Sequence, residues 1–199
     1  MINEKMLAAK KKLRHHLLGL RRHLSVEERE SRSACIWQQL RREKFYRQAK
    51  CVFCYASMPD EVQTHAILEH MLQNGKRVCL PRIVAKGIMD AVELSSMEDL
   101  VPGDFGILTV SDEKGTVIPP EEIDCVLVPG AGFGRDGARL GMGGGYYDRF
   151  LMTRARQALR IAAAFSCQLS AEIPMEPHDC RVDAVITEDE MILCNKMKW

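Results

Sequence analysis

CVFCYASMPDEVQTHAILEHMLQNGKRVCLP, residues 51–81, sets two apolar runs on either side of a helical one. Cys51-Val52-Phe53-Cys54-Tyr55 is a short apolar run of the kind that fills a fully buried strand. Thr64 through Asn74 has helical composition, and Gly75 follows as a C-terminal stop. Arg77-Val78-Cys79-Leu80-Pro81 then reads as a second strand. A strand, a helix and a strand this close together imply parallel pairing, since a crossover helix is what parallel neighbours need.

Towards the amino terminus, residues 3–23 read as a helix, with Leu7, Leu13, Leu17, Leu20 and Leu24 at roughly helical spacing among basic residues. Ser25-Val26-Glu27-Glu28 has capping-box form, so a second helix is expected from there to about Tyr46. Towards the carboxyl terminus, residues 88–94 alternate as a half-exposed strand does. Residues 95–123 are loop-rich, punctuated by Pro102-Gly103, Glu113-Lys114-Gly115 and Pro119-Pro120. Ile123 to Val128 is a hydrophobic strand, followed by a glycine-rich loop and a helix to about Leu159. Strands are then expected at 161–165, 182–187 and 191–194. The fold class is therefore α/β: a single domain over 1–199 with a mostly parallel central sheet flanked by helices. Residues 1–47 form a basic helical amino-terminal segment packed on an α/β body at 48–199.

At 199 residues the chain suits one ordinary domain, and 46% hydrophobic with 28% charged residues is a soluble composition. No apolar run approaches the roughly twenty residues of a membrane span. A cytoplasmic protein without a membrane partner is expected. The eight cysteines sit largely in apolar runs, as small hydrophobes do. Cys51 and Cys54, three apart on a strand, point to opposite faces, which disfavours joint metal binding. They read as reduced thiols. The net charge of +1 hides an asymmetry, because residues 1–50 hold 14 Lys and Arg against 5 Asp and Glu. That basic segment suits an anionic partner or a solvated helix face, and composition alone favours the solvated face.

The loop after the 123–128 strand reads Arg139-Leu140-Gly141-Met142-Gly143-Gly144-Gly145-Tyr146-Tyr147-Asp148-Arg149. A run of backbone N–H groups entering a helix is an anion cradle. It is neither a Walker loop nor a dinucleotide fingerprint. Its paired tyrosines can flank a flat ligand and its acid can hold a metal near phosphate. The place of the loop, at the carboxyl end of a strand, is where ligands bind in open α/β sheets. Elsewhere, Lys10, Lys11, Lys12 and Arg14 form the densest basic group, with Lys10 and Arg14 on one helix face. Glu61 lies in the loop after the first strand, where a carboxylate can receive N–H donors from a heterocycle or can simply close a turn. Asp183 stands at a strand entrance, and an acid beside an apolar strand suggests a partner cation. The histidines do not cluster, and nothing identifies a nucleophilic triad.

Assembled, these residues make the chain resemble the 5-formyltetrahydrofolate cyclo-ligase family. The resemblance runs nearly end to end. It rests on the amino-terminal K-x-x-L-R, the Asp60-Glu61-Val62-x-Thr64 segment, Gly75-Lys76-Arg77-Val78-x-Leu80-Pro81, VPGAGFGRDGARLGMGGGYYDRFL and the late VDAVITE. The resemblance implies an ATP- and magnesium-dependent conversion of 5-formyltetrahydrofolate to 5,10-methenyltetrahydrofolate, ADP and phosphate.

It also implies roles for residues. Lys10, Lys11, Lys12, Leu13 and Arg14 would contact ATP, together with Arg139, Leu140, Gly141, Met142, Gly143, Gly144, Gly145, Tyr146 and Tyr147. Ala56 and Glu61 would take the folate, with Met142 through Tyr146 near its formyl end. Arg139, Tyr146 and Asp148 would act on the reacting groups, and Asp148 and Asp183 would bind Mg2+. The implied partners are ATP and 5-formyltetrahydrofolate, with or without a polyglutamate tail, and no nucleic acid; a monomer is expected. Two segments depart from the family pattern. Gly134 stands where an acid is frequent, and Gly106-Ile107-Leu108-Thr109-Val110 replaces a Gly-Ile-x-Glu-Pro element. Two rivals remain: another ATP-dependent ligase or kinase using the same loop, and a nucleic-acid-binding module with a basic helix.

Overall fold

The computed structural model describes residues 2–194; Met1 and residues 195–199 of the expected single domain lie outside the described residues. The chain begins with α1 (Ile2–Arg22) and α2 (Val26–Arg42). Between them Ser25 and Glu28 form the expected capping box, each side chain bonded to the other's backbone N–H. The second helix stops earlier than expected. Glu43 is extended at φ −72°, ψ 136° and starts the separate short α3 (Lys44–Gln48).

The strand–helix–strand unit follows as β1 (Cys51–Phe53), α4 (His65–Gln73) and β2 (Arg77–Ala85), with β1 and β2 parallel. β2 runs four residues beyond Pro81 and pairs antiparallel with β3 (Ile88–Leu94). The 95–123 region, read as loop, carries a small hairpin of β4 (Leu100–Pro102) and β5 (Leu108–Val110). Three-residue strands are too short for a period-2 pattern to show in sequence. After β6 (Cys125–Val128) comes a second small hairpin, β7 (Gly132–Phe133) and β8 (Arg139–Leu140). Then follow α5 (Tyr146–Thr153), β9 (Leu159–Ala163), β10 (Ala184–Ile186) and β11 (Met191–Leu193). α5 ends at Thr153 rather than near Leu159, which already belongs to β9.

The seven-stranded sheet has the order β11-β10-β9-β6-β1-β2-β3. The five central strands are parallel, and β3 and β11 close the edges antiparallel. The chain builds outward from β1 in one direction, then returns to build outward from β6 in the other. The β1/β6 junction is therefore a switch point, the place where the connections diverge and leave a crevice at the strands' carboxyl ends.

Each face of the sheet has its own core. Cys54, Val52 and Leu80 pack with Trp37, Tyr46, Leu68 and Met71 beneath α2, α3 and α4. Cys51, Phe53 and Val128 pack with Phe150 and Leu151 of α5. The two cysteines thus take opposite faces, as their spacing predicts.

The basic helix α1 docks on neither face. Leu17 and Leu18 pack with Ala131, Ala138, Leu140 and Ile173, which places α1 against the β7–β8 hairpin that precedes the glycine loop. The contact needs Gly132, because a Cβ there would stand 2.1 Å from Leu17 Cδ1. Gly132→Ala is expected to cost about 1–3 kcal/mol of stability through overpacking, read as a lower urea midpoint. An unchanged midpoint would show that α1 does not dock through this contact.

Candidate active site

A cleft of about 1140 Å³ opens at the switch point. One wall is the end of β1 with its loop, at Tyr55, Ala56, Met58 and Glu61. The opposite wall is Pro129, Arg139 and the glycine loop up to Asp148. The outer end of β2 and the β4–β5 hairpin supply the remaining side, including Pro81, Arg82, Ile107, Thr109 and Val110. A volume of this size exceeds the usual range for one small ligand.

Gly145 ends the loop with φ 67° and caps α5, so the chain turns sharply and the first N–H groups of the helix face outward without a side-chain cap. Only glycine takes that left-handed conformation without strain. Arg149, one turn on, donates from Nε to Gly87 O at 2.8 Å and from Nη2 to Gly144 O. It also lies over the Tyr146 ring, 5.9 Å from its centroid. Arg149 thereby ties the loop to Gly87 while Gly144, Gly145 and Tyr146 line the cleft.

Arg139 is buried. Its Nη2 donates to Asp148 Oδ1 at 2.6 Å and its Nη1 to Pro129 O at 3.1 Å, while Nε has no partner. The same Asp148 oxygen accepts the Cys180 N–H at 3.0 Å. A guanidinium held from behind by a carboxylate and aimed at a helix N-terminus is a fixed cation for phosphate oxygens. The adjacent tyrosines divide their work. Tyr147 stacks on Phe53 with ring centroids 5.9 Å apart, and its hydroxyl is buried without a partner. Tyr146 is half-buried on the cleft wall.

Glu61 faces this wall. Its Oε2 accepts the Met58 N–H at 2.9 Å, and its side chain is only 12% exposed. Burial raises its pKa above the ordinary carboxylate value, against the lowering effects of the Met58 bond and of Arg21. Burial also pushes the Tyr55 and Tyr147 hydroxyls up, which keeps both neutral beside it.

The residues expected at the site divide into those the structure brings together and those it does not. Ala56, Glu61, Arg139, Gly141, Met142, Gly144, Gly145, Tyr146, Tyr147 and Asp148 line the cleft. Arg14 joins them by donating from Nε to Gly141 O at 2.8 Å. Lys10 is buried and bonded to Glu176 Oε2 at 2.7 Å and Asp179 Oδ2 at 2.5 Å. Burial lowers its pKa, but the two acids more than offset that and raise it. Its charge is directed to that acid pair rather than into the cleft. Lys11 and Lys12 are exposed. Leu140 is buried in the helix–hairpin core, and the half-buried Leu13 packs against it.

Asp183 stands apart from the cleft. It lies at the amino end of β10, where its Oδ2 accepts the Arg160 N–H at 2.9 Å, whereas the cleft opens at the carboxyl ends of β1 and β6. Of the two acids expected to share magnesium, Asp148 lines the cleft and Asp183 does not. The departure at Gly134 is explained by Asp136. Its Oδ1 accepts the Ala138 N–H at 3.1 Å and closes the β7–β8 turn, and a Cβ at Gly134 would stand 2.5 Å from that oxygen. The other departure, 106–110, contributes Ile107, Thr109 and Val110 to the cleft wall. Arg21, absent from the expectations above, reaches the Glu61 loop. Its signal was available, since Arg21 lies seven residues after Arg14 and shares the buried face of Leu17 and Leu18.

Fold and cleft together define an α/β protein with a large cleft at the switch point of a parallel sheet, lined on one side by a glycine loop with a buried arginine and on another by an acid. Residues 6–188 match the 5-formyltetrahydrofolate cyclo-ligase family, and the chain belongs to that family. Its relatives include the 5-formyltetrahydrofolate cyclo-ligase of Mus musculus, 32% identical over 198 residues, covering 92% of this chain and 95% of the relative. The enzyme of the same name from Mycolicibacterium smegmatis is 34% identical over 186 residues, covering 90% and 93%. Among solved structures, the 5,10-methenyltetrahydrofolate synthetase of Aquifex aeolicus superposes with a TM-score of 0.83 at 29% identity, covering 96% of this chain and 95% of that one. The Mycoplasma pneumoniae synthetase gives 0.73 at 26% identity, covering 90% and 98%. Among the described residues no helix is long and apolar enough to cross a membrane.

Proposed function

We propose that the cleft binds ATP and 5-formyltetrahydrofolate side by side and closes the folate to 5,10-methenyltetrahydrofolate, releasing ADP and phosphate. One observation supports this reading: a glycine loop entering α5, a buried arginine and a buried acid line a single cleft large enough for two ligands.

A formamide carbonyl is a poor electrophile and hydroxide a poor leaving group. In the proposed reaction the formyl oxygen attacks the γ-phosphorus of ATP and ADP departs. N10 of the same folate then adds to the activated formyl carbon, phosphate leaves with the former formyl oxygen, and N10 gives up its proton. Ring closure within one molecule gains from proximity. The chain's part is to hold both substrates in line and stabilise charge. Arg139 and the α5 N-terminus hold the phosphates, Arg14 braces the loop through Gly141 O, and Glu61 with Ala56 receives the folate head.

The residues present fit magnesium of one kind. Asp148 is the carboxylate at the phosphate wall, and the described cleft offers no cage of converging acids around it. That suits an ion held mostly by phosphate oxygens and water with one carboxylate at hand. Its chemistry would be to neutralise charge on the transferred phosphoryl group. A cytoplasmic monomer belongs to the same proposal; cell fractionation checks the location and sedimentation of the purified chain checks the oligomeric state. The reaction itself is tested by mixing the protein with Mg-ATP and 5-formyltetrahydrofolate. Methenyltetrahydrofolate absorbance rising in step with ADP is the expected result. Nucleotide binding with no methenyl product would overturn the proposal.

A further inference from the structure

Arg21 closes the last turn of α1, yet it is buried. Arginine is almost never withdrawn from water without a partner. Here the partners lie in the loop that leads from β1 into α4. Nε and Nη2 both donate to Asp60 Oδ2, at 3.2 and 2.8 Å, and Nη1 stands 3.7 Å from Glu61 Oε1. Arg22 adds an exposed contact to Asp60 at 3.5 Å. Arg21 is not among the residues lining the cleft, whereas Glu61 is.

The surroundings of Glu61 make this cation matter. Facing it are Arg21 from α1, Asp60 from its own loop, Tyr55 from the end of β1 and Tyr147 from α5. Both tyrosines are neutral, and Asp60 repels. A carboxylate drawn out of water beside a second acid favours its protonated form. A protonated carboxyl can no longer accept from two N–H groups of a heterocycle, because one oxygen has become a donor. Arg21 supplies the positive charge that opposes this, and its two bonds to Asp60 fix the loop that carries Glu61.

We propose that Arg21 is a positioning residue of the folate wall: from the basic helix it braces Asp60 and holds the Glu61 carboxylate charged and in place, without itself touching substrate. The inference rests on the reading of Glu61 as the acid that receives the folate head. It also gives α1 a role beyond bracing the glycine loop, since the helix that places Arg14 on that loop places Arg21 behind the Glu61 wall.

Steady-state kinetics of the full chain across pH test it. Arg21→Gln is expected to raise the KM for 5-formyltetrahydrofolate about tenfold, the scale of a charge-assisted contact, and to leave the KM for ATP nearly unchanged. It should also move the acid limb of kcat/KM for folate to higher pH. Asp60→Asn should move that limb the other way, because it removes the repelling charge and leaves Arg21 to Glu61 alone. Arg21→Lys, which keeps charge without the fork, should recover part of the KM. A merely structural arginine would not produce two limbs displaced in opposite directions. Equal rises in both KM values, an unmoved limb in Arg21→Gln, or limbs that move together would overturn the proposal. If Arg21→Gln does not fold, Asp60→Asn and Arg21→Lys decide by the same limb positions. Glu61→Gln run in parallel separates the two readings. An unchanged folate KM there removes the role of Glu61 and this inference with it. A raised KM there, with a limb that Arg21→Gln leaves unmoved, removes the role of Arg21 alone.

Discussion

Asp148→Asn is expected to lower turnover of 5-formyltetrahydrofolate by about 100-fold, the loss typical when one preorganised charge-stabilising group is removed. Two effects combine. The substitution removes the carboxylate at the phosphate wall, and it loosens Arg139, whose Nη2 donates to Asp148 at 2.6 Å. Asparagine can still accept the Cys180 N–H that Asp148 accepts at 3.0 Å. The fold should therefore lose only about 1–3 kcal/mol, the cost of a poorly satisfied buried group. Arg139 is buried with its Nε already unpaired, so that cost will not be zero. The check is kcat measured well below the thermal midpoint of the variant. If activity falls only as far as the folded fraction does, Asp148 is a structural partner of Arg139 and nothing more.

Glu61→Gln should raise the KM for 5-formyltetrahydrofolate by about 10- to 100-fold and that for ATP much less. The reverse ranking would remove Glu61 from the folate wall. The same variant carries a stability signature. Burial places the folded pKa of Glu61 above the ordinary carboxylate value. A raised carboxyl contributes fully to stability below its unfolded pKa, and that contribution is lost as pH rises through the folded value. At neutral pH the charged carboxylate is thus a cost that the fold bears. Glutamine does not titrate, so the stability of Glu61→Gln relative to the natural chain should increase as pH rises above 4.5. Urea unfolding at acid and neutral pH measures the slope; a relative stability that falls with pH would contradict the burial account.

Much of the architecture was legible in the chain because it rests on local rules. The capping box at Ser25 and Glu28, the Gly75 stop and the opposite faces of Cys51 and Cys54 follow from residue types at fixed offsets. The misses share a cause as well. The break at Glu43 interrupts a stretch whose composition stays helical on both sides. The hairpins at 100–110 and 132–140 use strands of two or three residues, too short to announce a period.

The candidate site divides along the same line. Arg139, Glu61, Asp148 and the glycine–tyrosine loop could be named from the sequence because each chemistry needs those residue types, and the motif around them is specific. Which of them meet was decided only in three dimensions. The strand order β9-β6-β1-β2 sets Glu61 opposite the loop and leaves Asp183 at the amino end of β10. The docking of α1 on the β7–β8 hairpin sends Arg21 to Asp60, 39 residues away, and Lys10 to Asp179, 169 residues away. Periodicity and residue chemistry act over a few neighbours and so are written in the sequence. Convergence depends on strand order, strand direction and the burial of one helix face, which arise only when distant segments pack.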